Sequence, residues 1–176
     1  MFETLFKRGT AVTAGRELYA ACATAARRPA FYLALQVPDT VEGRFELYAL
    51  HTLLVVLRLR GAEPSGKDVS QALFDALLLG LDDGLRDMGV GDLSVGKKMR
   101  KLGAALYGRA KNLDLALAAD DSSELEAFLI RTVYAGAESP EAGRLASWVR
   151  AAQAALAAQS DQDLLAGTVS FAEVAE

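Results

Sequence analysis

Residues 41–60 read VEGRFELYALHTLLVVLRLR, and this stretch decides the fold. Its apolar side chains recur every three or four positions, which is the spacing of an α-helix. They form two stripes, one of Phe45, Tyr48, Thr52, Val55 and Leu59 and the other of Leu47, Leu50, Leu54 and Leu57. A helix that is apolar on two faces belongs in the interior of a helical protein. The stretch therefore predicts a central, largely buried second helix.

The ends of this helix are also marked in the sequence. Asp39 and Thr40 are candidate N-caps, and Glu42 gives a capping-box-like start three residues after Asp39. Gly61 follows as a C-terminal stop, and GAEPSGK at residues 61–67 is expected to form a loop. The central helix should therefore run from about residue 41 to residue 60.

Working outward, five further segments show helical spacing, and none shows the alternation that is typical of β-strands. We expect helices at about residues 12–27, 69–88, 94–117, 123–133 and 140–156, with a connector at 31–38. Pro29 should end the first of them, because the residue before a proline disfavours helical geometry. We predict an all-α, single-domain bundle of about six helices that spans residues 1–176.

Several details of these helices follow from single residues. Ser94 is a candidate cap, Ser123 and Glu126 spell a capping box, and Pro140 suits the first position of the sixth helix. Gly103 and Gly108 inside the fourth helix indicate close packing or a bend. After residue 160 the pattern weakens, and the sequence predicts that Leu164, Leu165 and Phe171 dock while the last residues stay loose.

Composition excludes several classes of protein. The chain has 23 acidic and 19 basic residues, so its overall field does not favour DNA, and we expect no DNA partner. A single cysteine cannot form an internal disulfide, which fits a reducing compartment. The longest apolar run, residues 53–57, is far shorter than the roughly 20 residues that span a bilayer. No secretory signal or transit peptide is recognisable in the sequence, so a soluble bacterial protein of the cytoplasm, or a processed organellar one, is the expectation.

Catalytic motifs are weak. GDLSVGKK at residues 91–98 matches the spacing of a P-loop, but Lys98 replaces the magnesium-binding Ser or Thr and the preceding segment is helical. His51 is the single histidine and lies on the central helix, where a core histidine with satisfied hydrogen bonds is the better interpretation. Cys22 sits among small helical residues, which favours an inert thiol. We therefore predict no enzyme, no cofactor and no metal site.

An unusual cluster of cations, KKMRK at residues 97–101, lies in the opening turns of the fourth helix. The helix dipole disfavours positive charge there by roughly 0.3 to 1 kcal/mol each, so helix stability does not explain the cluster. Two interpretations are open: a solvated salt network with Asp82, Asp83, Asp87 and Asp92, or a surface that binds an anionic partner. The second interpretation gives the candidate partner-binding residues Arg86, Asp87, Asp92, Lys97, Lys98, Lys101, Tyr107 and Arg109.

An ordered series of strings resembles the ubiquinol-cytochrome c chaperone family. The strings are RRPAFY (27–32), VPDTVEGRFELYALH (37–51), SQALFD (70–75) and LRDMGVGDLSVGKKMRKLGAALYGR (85–109). The resemblance covers about residues 10–118 and is weak beyond residue 117. It implies an all-helical assembly factor that binds newly made cytochrome b and supports its assembly into the cytochrome bc1 complex.

The same resemblance suggests further partners. Mitochondrial members of the family pair with a small protein and meet the nascent chain at the ribosome, so the ribosome or an unidentified small protein is a further candidate partner. A bacterial member would act at the cytoplasmic face of the inner membrane, with peripheral contact possible. An alternative from another class stays open: a helical carrier that encloses a lipid or a quinone-like apolar molecule.

Overall fold

The computed structural model describes residues 2–87, 89 and 91–174, and every described segment of regular structure is helical. Within these residues there are eight helices, six of them longer than one or two turns. They are α1 (Phe2–Ala26), α2 (Pro29–Leu33), α3 (Val41–Leu59), α4 (Gly66–Asp87), α5 (Asp92–Ala118), α6 (Ser122–Thr132), α7 (Ala142–Ala158) and α8 (Asp161–Leu165). The predicted all-α bundle is confirmed.

Helix α3 lies at the centre of the bundle, as its two apolar stripes predict. It contacts α1, α4, α5 and α7, and ten of its nineteen residues are buried. The side chain of Thr40 accepts a hydrogen bond from the backbone N–H of Gly43, so Thr40 is the N-cap. Phe45 and Tyr48 are only partly buried, because this end of their stripe faces a surface cleft and not the core.

Helices α1 and α4 pack closely side by side. A Cβ added at Gly15 would lie only 2.6 Å from the backbone of Ala72. At Gly80 the added atom would lie 1.9 Å from the hydroxyl of Tyr19. Small residues at these points let the two helices approach each other and leave room for the Tyr19 ring.

Several helix boundaries differ from the predicted ones. Helix α1 already begins at Phe2, and Arg28 is extended before Pro29, as its position before a proline requires. Pro29 then starts the short helix α2 inside the segment that was predicted to be a connector. Helix α4 begins at Gly66, so the predicted loop at 61–67 is shorter than expected.

The predicted caps of three later helices are also corrected. The N-cap of α5 is Gly91, so Ser94 lies inside the first turn. Asp121 caps α6 by accepting a hydrogen bond from the N–H of Ser123, a role that a carboxylate near a helix N-terminus performs well. Helix α7 begins at Ala142, because Pro140 lies in a turn that precedes it.

The segment after α8 docks onto the bundle as predicted. Within α8, Leu164 is fully buried and Leu165 is partly buried against the core, and beyond it Phe171 is 8% exposed. The carbonyl of Ala172 accepts a hydrogen bond from Trp148 Nε1 at 3.0 Å, which ties the segment to α7. Residues 175 and 176, which the sequence predicts to be loose, lie outside the described residues. None of the helices described is both long enough and apolar enough to cross a bilayer.

Candidate functional site

Four cations, Lys97, Lys98, Arg100 and Lys101, form what we call the basic segment of α5. All four side chains are exposed. Nearby, a Cβ added at Gly103 or Gly108 meets nothing within 4 Å, so the prediction of close packing at these glycines is wrong. This side of α5 faces solvent.

The described residues show no carboxylate in contact with the cations of the basic segment. Asp82 instead pairs with Arg86 on its own helix, at 2.7 Å. Asp87 is exposed at the end of α4, and the side chain of Asp92 lies outside the described residues. The described part of the chain therefore shows no salt network between these cations and Asp82, Asp83 or Asp87.

The remaining two candidate residues lie elsewhere on α5. Tyr107 is 61% exposed, and its ring centroid lies 4.8 Å from that of Phe74 on α4. Arg109 makes a bidentate ion pair with Glu46 of α3, and its Nε lies 2.8 Å from Glu46 Oε2. The guanidinium of Arg109 also lies over the Phe45 ring. Burial raises the pKa of Glu46, while Arg109 opposes that rise. Arg109 thus ties α5 to α3 and does not join the basic segment.

A second surface, which the sequence did not predict, runs along α1. Its first part, the aromatic cleft, has a volume of about 660 Å³ and is lined by Tyr19, Tyr32, Phe45 and Tyr48. At its mouth Leu33 and Val41 are 81% and 65% exposed. Large apolar side chains at this level of exposure, beside an aromatic cleft, are typical of an interaction surface.

The second part, the acidic cleft, has a volume of about 810 Å³ and lies between α1 and α4. Val12 and Leu79 are its exposed apolar residues, at 42% and 57%. Tyr19 and Gly80 line both clefts, so the two form one continuous surface, here called the α1–α4 trough. One sequence signal could have revealed it: Leu79 falls outside the apolar stripe of α4, next to acidic residues.

The potential catalytic side chains are buried and away from the trough. His51 is completely buried, and its Nδ1 lies 2.8 Å from the carbonyl of Leu47. Burial lowers the pKa of His51 to about 4, so its ring is neutral at pH 7. Among the described residues, its Nε2 has no hydrogen-bond partner. The prediction of a core histidine is confirmed, but the prediction that its polar atoms are satisfied holds for only one of the two ring nitrogens.

Cys22 is likewise buried, and burial raises the pKa of its thiol to about 12. A thiol with this pKa is protonated at neutral pH and is a poor nucleophile and metal ligand. Across residues 2–87, 89 and 91–174, no three side chains of His, Cys, Asp or Glu converge in a way that could hold a metal ion. His51 and Cys22 thus both belong to the buried core of the bundle.

Comparisons with known proteins agree with the resemblance in the sequence. The model of the family described as ubiquinol-cytochrome C chaperone matches residues 33–171, and so extends well beyond residue 117, after which the resemblance in the sequence is weak. The Cbp3 homolog from Brucella abortus, known from a crystal structure, is 34% identical with a TM-score of 0.86, covering 99% of this chain and 98% of that one. No curated protein matches the sequence significantly. The chain belongs to the ubiquinol-cytochrome c chaperone family.

Proposed function

We propose that this protein is an assembly chaperone for the cytochrome bc1 complex that binds newly made cytochrome b. The observation that carries the proposal is the match to the chaperone family over residues 33–171, together with the similarity to the Brucella abortus Cbp3 homolog along almost the whole of both chains. Cytochrome b is the client that this family membership implies.

The buried side chains support an action by binding and not by catalysis. A general base has to reach its substrate, but His51 is completely buried. The raised pKa of Cys22 keeps its thiol protonated, which disfavours nucleophilic catalysis. Two exposed surfaces of the described residues are instead open to a partner, the α1–α4 trough and the basic segment of α5.

The basic segment suits an anionic partner surface, such as an acidic loop of the client or the ribosome that makes it. Its exposed cations raise the rate of encounter with such a partner and make the contact sensitive to salt. We place the protein in the bacterial cytoplasm, with peripheral contact at the inner membrane where cytochrome b is inserted.

Deletion of the gene tests the proposal directly. We expect the levels of cytochrome b and of the assembled bc1 complex to fall while the cytochrome b transcript stays unchanged, because the chaperone acts during or after synthesis. Immunoblots, difference spectra of haem b and transcript quantification measure the three quantities. A strain complemented with the wild-type gene is the control, and normal cytochrome b in the deletion strain would contradict the proposal.

Affinity capture from native membranes complements the deletion. We expect mass spectrometry to find cytochrome b with the captured full-length protein, and to find less of it after treatment with high salt. Organic extraction of the same sample tests the alternative class of function. Stoichiometric lipid or quinone without cytochrome b would indicate a small-molecule carrier and would overturn the chaperone proposal.

A further inference from the structure

The α1–α4 trough is long and continuous. It follows α1 from Ala11 to Ala26, and at 1.5 Å per residue this distance is about 22 Å, the length of about 15 helical residues. A transmembrane helix has roughly 20 apolar residues, so most of its length fits in the trough. Apolar contact is available at both ends, because Leu79 and Leu33 are exposed in the acidic and aromatic clefts respectively.

The charges along the trough are unequally distributed. Asp68, Asp75 and Asp83 line the acidic cleft, where Arg16 is the one cation in the lining. Within the part of the chain that the structure describes, none of these three carboxylates makes an ion pair. Their spacing of seven and eight residues puts them on the same side of α4. Asp75 accepts a hydrogen bond from Gln71 Nε2 at 2.7 Å. With three carboxylates and one cation in its lining, the acidic cleft carries a net negative charge beside apolar side chains.

The opposite end of the trough has a different charge. In the aromatic cleft Arg44 pairs with Asp39 at 2.5 Å, so these two charges cancel. Arg27, also in the lining, donates to the carbonyl of Ala23 and keeps its positive charge without a carboxylate partner among the described residues. The trough thus runs from a negative end at the acidic cleft to a weakly positive end at the aromatic cleft.

We propose that the trough holds an apolar helical segment of the client, with a cluster of lysines or arginines at one end of that segment lying against Asp68, Asp75 and Asp83. This inference rests on the proposed function and specifies the client segment and its direction. Membrane helices have this chemistry, since their cytoplasmic ends carry an excess of lysine and arginine. The apolar part of the segment packs against Val12, Leu79 and the aromatic cleft, as in other helix-in-groove complexes.

The distribution of charge disfavours other occupants. The headgroup of an anionic lipid would be repelled by three carboxylates in the acidic cleft. A second copy of the chain, with 23 acidic and 19 basic residues, carries a net negative charge and would on the whole be repelled. An apolar segment with a cationic flank instead gains from both the apolar surface and the charges of this cleft.

Two synthetic peptides test the proposal with the full-length protein. Each is an amphipathic helix of about 18 residues, with leucine and alanine on one face and glutamine on the other, and with a lysine or a glutamate cluster at its C-terminal end. Fluorescence anisotropy of the labelled peptides measures the affinity. We expect the lysine peptide to bind about tenfold more tightly than the glutamate peptide, and the difference to shrink at high salt.

A triple variant locates the origin of this preference. Asp68→Asn, Asp75→Asn and Asp83→Asn together should abolish the preference for the lysine peptide. The matched control, Asp120→Asn with Glu124→Gln and Glu138→Gln, removes the same total charge from exposed positions outside the trough and should keep the preference. Equal binding of the two peptides to the wild type, or equal loss in both triple variants, would overturn the proposal.

A quenching experiment tests the direction of the bound segment. A dye is attached at Leu79→Cys, at Leu33→Cys or at Leu115→Cys; all three positions are exposed, and Cys22 is too buried to react. A quencher sits at the lysine end of the peptide. We expect strong quenching at position 79, weak quenching at 33 and none at 115, which lies on α5 away from the trough. Strongest quenching at 33 or 115 would refute the proposed placement.

The failure of this inference can be distinguished from the failure of the proposed function. If the variant with Asp68→Asn, Asp75→Asn and Asp83→Asn still captures cytochrome b at the wild-type level, the chaperone function stands and the placement of the client in the trough is wrong. If the wild type captures no cytochrome b, the proposed client itself is wrong. If that triple variant captures less cytochrome b while the matched control variant captures the normal amount, both the chaperone function and the placement of the client in the trough are supported.

Discussion

His51 is enclosed by aromatic rings. The ring centroids of Phe31, Trp148 and Phe171 lie 5.2, 4.9 and 4.8 Å from its own. Burial lowers the pKa of this histidine to about 4, whereas in the unfolded chain it should be near the ordinary value of about 6.5. Below about pH 6.5 the imidazole of the unfolded chain therefore binds a proton, whereas the buried imidazole of the folded chain stays neutral. The free energy of unfolding consequently decreases as the pH falls towards 4.

We predict that this residue destabilises the fold by about 2 kcal/mol between about pH 7.5 and pH 5. Urea unfolding of the wild type and of His51→Leu at both pH values measures the effect. The variant loses packing, so its stability is lower at both pH values, but its change between them should be about 2 kcal/mol smaller. The carboxylates titrate in both proteins, so their contribution cancels when the pH-dependent changes in stability of the two proteins are compared. Equal pH dependence would show that His51 is protonated inside the fold.

At the level of single helices, the two halves of α5 differ in burial. Its C-terminal half is tied to the bundle by the ion pair of Arg109 with Glu46 and by the buried Leu106 and Leu113. Its N-terminal half, with the basic segment, contacts the bundle less and shows four exposed cations to solvent. Charge on this half can therefore be changed with little effect on packing.

The triple change Lys97→Glu, Lys98→Glu and Lys101→Glu should leave the melting temperature unchanged or slightly higher, because acidic residues suit the N-terminal part of a helix. Capture of cytochrome b or co-sedimentation with ribosomes should fall, since the partner loses its electrostatic contact. The matched variant Lys97→Gln, Lys98→Gln and Lys101→Gln should give an intermediate loss. A lower melting temperature of the glutamate variant, with undiminished capture of cytochrome b at low salt, would favour the interpretation of a solvated salt network.

At the scale of the whole molecule, the segment after α8 joins parts that are distant in the chain. Ser170 and Gln159 exchange two hydrogen bonds of 2.9 Å, and Arg28 forms an ion pair with Glu173 at 3.1 Å. Phe171 covers His51, which belongs to the central helix. The segment therefore closes the core formed by α1, α2, α3 and α7.

Removal of residues 168–176 should lower the free energy of unfolding by about 3 kcal/mol or more, because a buried aromatic ring is lost and the core around His51 is opened to water. Urea unfolding measures the loss. Trp148 is the single tryptophan of the chain, so a red shift of its emission reports the exposure directly. Removal of residues 175 and 176 alone is the control. An unchanged spectrum in the longer deletion would mean that the segment does not cover the core.

The helical class, the central position of α3, its two candidate caps Asp39 and Thr40, the family and the basic segment could all be predicted from the sequence alone. These features depend on local patterns, since helical periodicity and capping involve residues only three or four positions apart. Partial exposure of Phe45 was not predicted, because its spacing in the stripe is the same as that of a core residue.

Which helices meet depends on tertiary packing. The α1–α4 trough exists because Gly15 packs on Ala72, far along the chain, and no local pattern encodes that contact. Arg150 shows the same principle: its guanidinium donates to the carbonyls of Ala116, Leu117 and Ala119 at the end of α5, more than 30 residues away. Such contacts depend on how whole helices pack against each other, and packing is set by the fit of complete surfaces and not by spacing within one segment.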